Sequence, residues 1–162
     1  MVLESGKLIL NRREMKPVKN RKAFFDYEIL ETLEVGVVLE GHEVKSARQG
    51  GFSLKDSYVI VKDEEFFLLN ANIARYKYMS NDEYDPNRTR KLLASKKQII
   101  SWASKMKQGN LTIVPLKAYA KGKNIKLEVG LARGKKKYEK KEALKKKELD
   151  RQLHREKREF MV

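Results

Sequence analysis

The chain has 162 residues and a formal net charge of +15, with 37 Lys/Arg, 22 Asp/Glu and no cysteine. That length allows one modest core with appendages, and the missing cysteines exclude disulfide staples and thiolate chemistry. The apolar run Leu8–Leu10 is too short for a signal peptide or a membrane span, so the chain reads as soluble and cytoplasmic.

The charge is concentrated at the ends. Residues 1–22 carry 7 basic and 2 acidic side chains, and residues 133–162 carry 13 and 6. Only 17 basic and 14 acidic residues remain for positions 23–132, a nearly balanced middle. The chain therefore divides into a basic arm (1–22), a domain (23–132) and a basic tail (133–162). Positive charge confined to flexible ends is the footprint of a partner that is a polyanion, above all a nucleic acid.

Phe24 to Leu39 reads mainly as strand, with Tyr27, Ile29, Glu31 and Leu33 alternating against their neighbours and Gly36 marking a bend or bulge. A short helix near 40–49 follows, closed by Gly50–Gly51. Tyr58–Val61 and Phe66–Leu69 form a β-hairpin around a charged turn. Residues 73–88 are polar and read as a loop. Asp85-Pro86-Asn87 signals the start of a helix over 88–108, on which Leu92, Lys96, Ile99, Ala103 and Met106 recur at helical spacing. A second hairpin covers 111–131, with Pro115 at an edge or bulge because it cannot donate to a ladder. Short strands and two helices in so small a domain predict a mainly β, α+β fold: a closed or partly closed antiparallel barrel that hides its sheet edges, with an open α+β sheet as the alternative. Tyr27, Tyr58 and Tyr119 are expected in its core. The tail has good helix formers but no wide apolar stripe, so it is expected to be disordered when free and helical when docked.

Chemistry beyond binding finds little support. His42 and His154 stand in different modules, Gly130–Lys136 has the wrong spacing for a phosphate loop, and carboxylates such as Glu31, Glu34 and Glu43 fit ion pairs better than a two-metal nuclease. No enzyme, metal or cofactor is expected. Asn20-Arg21-Lys22, then Arg88, Arg90 and Lys91, then Lys117, Lys121, Lys123 and Lys126 supply phosphate partners, and tyrosines 76, 78, 84 and 119 offer stacking faces.

Several blocks then occur in one order: Asn20-Arg-Lys-Ala-Phe-Phe-Asp-Tyr27, Glu34-Val-Gly36, Gly41-His-Glu-Val-Lys-Ser-Ala-Arg48, Asp56-Ser-Tyr58, Asp85-Pro-Asn-Arg-Thr-Arg-Lys-Leu-Leu93, Val114-Pro-Leu116 and Gly130-Leu-Ala-Arg-Gly-Lys-Lys136. Together they closely resemble the small protein B family, the SsrA-binding proteins of bacterial trans-translation. The resemblance implies an OB-fold-like barrel with flanking helices and a basic C-terminal tail. It implies binding to the tRNA-like domain of transfer-messenger RNA (tmRNA), charged with alanine and carried by elongation factor Tu. It also implies ribosome rescue, with the tail in the decoding centre and empty mRNA channel of the small subunit, against 16S rRNA. No membrane is involved.

Carried over by position, the RNA-binding candidates are Glu34, Leu93 and Lys126, supported by Asn20, Arg21, Lys22, Lys45, Arg48, Arg90 and Lys91. The tail candidates are Gly134, Lys135 and Lys136, then Glu139-Lys140-Lys141, which stands where the family pattern has Asp-Lys-Arg. Lys141 lacks the fork of an arginine. Phe25 replaces a family histidine and can stack but not hydrogen-bond, so no polar role is assigned there.

Overall fold

The computed structural model describes residues 14–80 and 83–161, together with the backbone of 3–4 and 7–8. The first two strands, β1 (Leu3–Glu4) and β2 (Lys7–Leu8), pair antiparallel. The segment then reaches β3 (Val18–Lys19), so the basic arm contributes a strand to the main sheet.

A short helix, α1 (Arg21–Asp26), precedes β4 (Tyr27–Val37). This corrects the strand expected from Phe24. The Asn20 side chain accepts from Ala23 N, and its amide donates to Pro115 O at 2.9 Å, so a helix start is capped and tied to the barrel at once. Then come α2 (Gly41–Arg48), β5 (Phe52–Ser53), β6 (Tyr58–Lys62), β7 (Glu65–Leu69) and β8 (Asn72–Ile73). Gly50 has φ +91°, the left-handed backbone that ends α2 without a Cβ penalty. Asp63 and Glu64 both have positive φ and close the tight β6–β7 hairpin.

Arg90–Leu93 is a strand, β9, and α3 starts only at Lys96 and runs to Gly109. The expected helix over 88–108 is thus shortened at its N-terminal end. Ser95 caps it, accepting from Gln98 N while the Gln98 side chain accepts from Ser95 N. The long hairpin β10 (Thr112–Lys121) and β11 (Asn124–Gly134) follows, then α4 (Lys137–Phe160).

The sheet runs β11-β4-β9-β7-β6-β10, and β10 pairs back onto β11, which closes a ring of six antiparallel strands. This is the OB-like barrel expected, with β3 added to the edge of β10 that β6 leaves free. Its interior holds Val35, Val59, Phe66, Leu68, Leu92, Ile113, Leu127 and Val129. Trp102 of α3 caps one end, its ring 6.2 Å from Phe66. Truncating Phe66 to alanine would cost about 3–5 kcal/mol by the usual scale for aromatic core deletions.

Three details differ from what the sequence predicts. The irregularity in β4 lies at Leu30, where the register to β11 slips, while Gly36 is regularly paired on both sides. Tyr58 is exposed, and Tyr119 is half-buried on the outer wall; the alternation that buries Val59 and Ala118 turns each tyrosine outward. Pro115, by contrast, does sit at a bulge of β10, as its missing N–H requires.

Candidate nucleic-acid interface

The outer wall carries one row of side chains across four strands. Leu93 of β9 stands opposite Gly36 of β4, Gly36 opposite Lys126 of β11, and Lys126 opposite Tyr119 of β10. Directly opposed residues share a sheet face. The adjacent Leu92, Val35, Leu127 and Ala118 are buried, so this row points out of the barrel. Leu93 is 55% exposed.

Gly36 leaves a gap in the row. A Cβ there would lie 3.3 Å from Leu93 Cβ and 3.7 Å from Lys126 Nζ. The glycine therefore lets an apolar platform and an ammonium approach each other over bare backbone.

Glu34 shares this face, two residues before Gly36. Its carboxylate accepts from the Tyr119 hydroxyl and from Lys121 Nζ, the latter at 3.0 Å. The Tyr119 bond, then the Lys121 bond, hold the Glu34 carboxyl below its usual range, so it is ionised near neutrality. Burial, then the bond to Glu34, push the Tyr119 phenol up to about 12. The Lys117 ammonium lies 5.6 Å from the Tyr119 ring centroid. A fixed carboxylate acceptor, a platform and cations thus converge: the cations can meet phosphate and the carboxylate can meet base amino groups.

Behind this wall lies a buried ionic centre that sequence reasoning missed. Glu43 of α2 accepts from Arg88 and Arg90, and Arg90 also donates to the carbonyls of Ala71, Pro86 and Arg88. The Tyr84 hydroxyl accepts from Arg90 and lies 3.0 Å from Glu43 Oε2 and 2.9 Å from Ile73 O. Burial alone would raise the Glu43 carboxyl, but Arg88, the Glu40 backbone N–H and Arg90 outweigh it and bring it down to about 2. Burial, then Glu43, raise Tyr84 to about 12. This centre fastens α2, with Lys45 and Arg48, to the segment leading into β9. The missed signal was the shared occurrence of Glu43, Arg88 and Arg90, which charge counting assigns to the surface.

The family model for SmpB, described as SmpB protein, matches residues 17–159. The chain belongs to the SmpB family. Among relatives of this SmpB-family chain, an SsrA-binding protein of Sulfurihydrogenibium sp. (strain YO3AOP1) is 50% identical over 136 residues, covering 84% of this chain and 90% of that protein. The SsrA-binding protein of Enterococcus faecalis (strain ATCC 700802 / V583) is 47% identical over 137 residues, 85% and 89% of the respective chains. A chain from the solved structure described as "tmRNA-SmpB: a journey to the center of the bacterial ribosome" superposes with a TM-score of 0.63 at 42% identity, covering 79% of this chain and 94% of the other. The two SsrA-binding proteins are named for binding SsrA.

Within this SmpB-family chain the candidate residues separate into distinct groups. Glu34, Leu93 and Lys126 come together on the outer wall. Lys91, on the same strand as Leu93, also points outward but pairs with Glu65 at 2.6 Å. Arg21 is exposed at the start of α1, and Lys22 pairs with Asp56 at 2.7 Å, a bond that raises its pKa. Lys45 is exposed on α2, and Arg48 donates to Gly122 O at 3.0 Å across to the β10–β11 turn.

Two candidates are corrected. Arg90 is fully buried, with its guanidinium committed to Glu43 and to backbone carbonyls, so it cannot reach an external phosphate. Asn20 is also buried, its side chain used on Ala23 and Pro115. Both shape the site from within.

The tail residues begin in the barrel. Gly134 is still in β11, opposite Tyr27, and Lys135 N donates to Asp26 O at 2.9 Å. Lys136 N donates to the Glu139 carboxylate at 2.9 Å, which starts α4. Lys140 lies 3.3 Å from Asp26, whereas Lys141 is exposed. No described residue of α4 is buried. Glu31 pairs with Lys105, and no group of three or more metal-ligating side chains occurs among the described residues. No helix among them is long and apolar enough to cross a membrane.

Proposed function

We propose that this chain is an RNA-binding adapter of trans-translation. It binds the tRNA-like domain of tmRNA and brings it to stalled ribosomes in the cytoplasm, with elongation factor Tu as the third member of the delivery complex. The observation that carries this reading is the outward row of Leu93, Gly36 and Lys126 beside the ionised Glu34, within a chain of this family. Lys126 neutralises phosphate, Leu93 packs against an exposed base or ribose, and Glu34 accepts from a base amino group.

The tail has a separate task. Lys135, Lys136, Glu139, Lys140 and Lys141 stand at its root, and the uncovered α4 places further basic residues beyond the barrel. On the ribosome this helix would occupy the decoding centre and the empty mRNA channel, against the small-subunit RNA.

Truncation tests the division of labour. The chain ending at Lys135 keeps Arg133 and Gly134 in β11, and it should bind the tRNA-like domain while losing tagging on stalled ribosomes. Tagging at the full-length level by that truncated chain would overturn the role given to the tail.

A further inference from the structure

The groove between α2 and the polar segment after β8 carries a second set of aromatic and basic groups, which the outer-wall row does not use. Its volume is about 1370 Å³, and its lining has five basic side chains against one acidic. The sign selects an anion, and the size exceeds what a single phosphate requires.

The aromatic side is held in place by hydrogen bonds to backbone carbonyls. Met79 N donates to Tyr76 O at 3.0 Å, and the Arg75 guanidinium donates to Met79 O at 2.9 Å, which closes a tight turn with Lys77 and Tyr78 at its tip. The two tyrosine rings meet edge to face, with centroids 5.6 Å apart. Tyr76 is half-buried and anchors the pair, whereas Tyr78 is 73% exposed. A ring so exposed contributes little to the core, and the turn and the contact with Tyr76 hold it in place.

An ammonium group stands over each ring. Lys45 Nζ lies 5.5 Å from the Tyr76 centroid and Lys77 Nζ 5.3 Å from that of Tyr78. Lys123, on the β10–β11 turn, also lines the groove. Arg48 bonds Gly122 of that turn from the groove side, while Lys121 reaches Glu34 on the outer wall, so one turn separates the two surfaces. An exposed aromatic face flanked by ammonium groups is the arrangement that binds unpaired nucleotides: the base stacks and the neighbouring phosphates are neutralised. A duplex offers no free base face to Tyr78.

We propose that this groove is a second RNA site, taking an unpaired segment with one base stacked on Tyr78 and its flanking phosphates met by Lys45, Lys77 and Lys123. The proposal rests on the reading of the chain as an RNA-binding adapter and adds where a loop or single strand of the RNA lies.

The test uses the full chain with two probes, an unstructured oligouridine of about ten nucleotides and a transcript of the tRNA-like domain. Tyr78→Ala should weaken oligouridine binding about 5- to 150-fold, the range for loss of one stacked base, while Tyr78→Phe keeps wild-type affinity. Lys77→Gln should lower the slope of log K against log salt by about one. With 4-thiouridine in the oligonucleotide, photo-crosslinks should fall on the peptide containing Tyr78. Wild-type affinity in Tyr78→Ala, equal losses in Ala and Phe, or crosslinks confined to the tail would each overturn the groove. If the wild type bound oligouridine through Tyr78 but preferred ordinary tRNA to the tRNA-like domain, the adapter reading would fall and the groove would stand. A preference for the tRNA-like domain with no Tyr78 effect on oligouridine would sink the groove and leave the adapter reading intact.

Discussion

Arg90 donates two hydrogen bonds to one oxygen of Glu43, from Nε at 2.8 Å and Nη2 at 2.5 Å, and neither side chain is exposed. A buried pair of this kind need not stabilise more than an apolar pair would, but removing one partner strands the other charge. Arg90→Ala should therefore destabilise the fold by about 3–5 kcal/mol, measured by urea denaturation. A loss below about 1 kcal/mol, the range of exposed ion pairs, would contradict the burial.

The same centre sets an acid limit. The Glu43 carboxyl is depressed in the folded state from 4.5 to about 2. Its contribution is present above the unfolded value and is lost as pH falls through the window from 4.5 to about 2. The depression corresponds to about 3 kcal/mol if the unfolded value is unperturbed. Glu43→Gln should flatten this part of the stability–pH curve; an unchanged acid transition in the variant would remove Glu43 as its source.

On the outer wall, Tyr119 and Glu34 are coupled. Deleting the hydroxyl in Tyr119→Phe removes the largest influence holding the Glu34 carboxyl down, so its pKa should move up toward the usual value. An NMR titration of the Glu34 side chain reads this directly. No upward movement would mean that Lys121 and Lys126 suffice.

The tail helix has no core to lean on. None of its 24 residues is buried, and Lys140 ties it to Asp26 of α1 at 3.3 Å. Most helical stability in proteins comes from tertiary packing of an apolar face, which this helix lacks. Circular dichroism of a 135–162 peptide should show partial helicity in dilute buffer, rising on addition of RNA. Full helicity without RNA would contradict folding on docking.

Much of the barrel was legible because its hairpins announce themselves through two-residue alternation and strong turn residues. The segment Arg90–Leu93 was not. Leu92 lies four residues before Lys96 and seven before Ile99, so it joins a helical series by accident. The strand instead follows period two, with Arg90 and Leu92 inward and Lys91 and Leu93 outward. The Ser95–Gln98 capping box marked the true start of α3. The six-residue α1 is too short for any periodicity to reveal it, and only Asn20 as N-cap hinted at it. Arg90 misled for a different reason: charge alone says surface, and only the fold supplies a buried carboxylate to receive it. Glu34, Leu93 and Lys126 lie far apart in sequence, and their meeting follows from register, which neither composition nor spacing encodes.

Selection of a tRNA-like RNA by the Leu93–Lys126 wall can be read in a single binding experiment. The tRNA-like domain of tmRNA is titrated across a range of salt, with ordinary tRNA as competitor, against the wild type and Lys126→Ala. Ordinary tRNA should compete poorly for the wild type, and Lys126→Ala should bind more weakly with a salt slope reduced by about one. Equal competition by tRNA, or a Lys126→Ala variant that binds as the wild type does, would contradict selection by this wall.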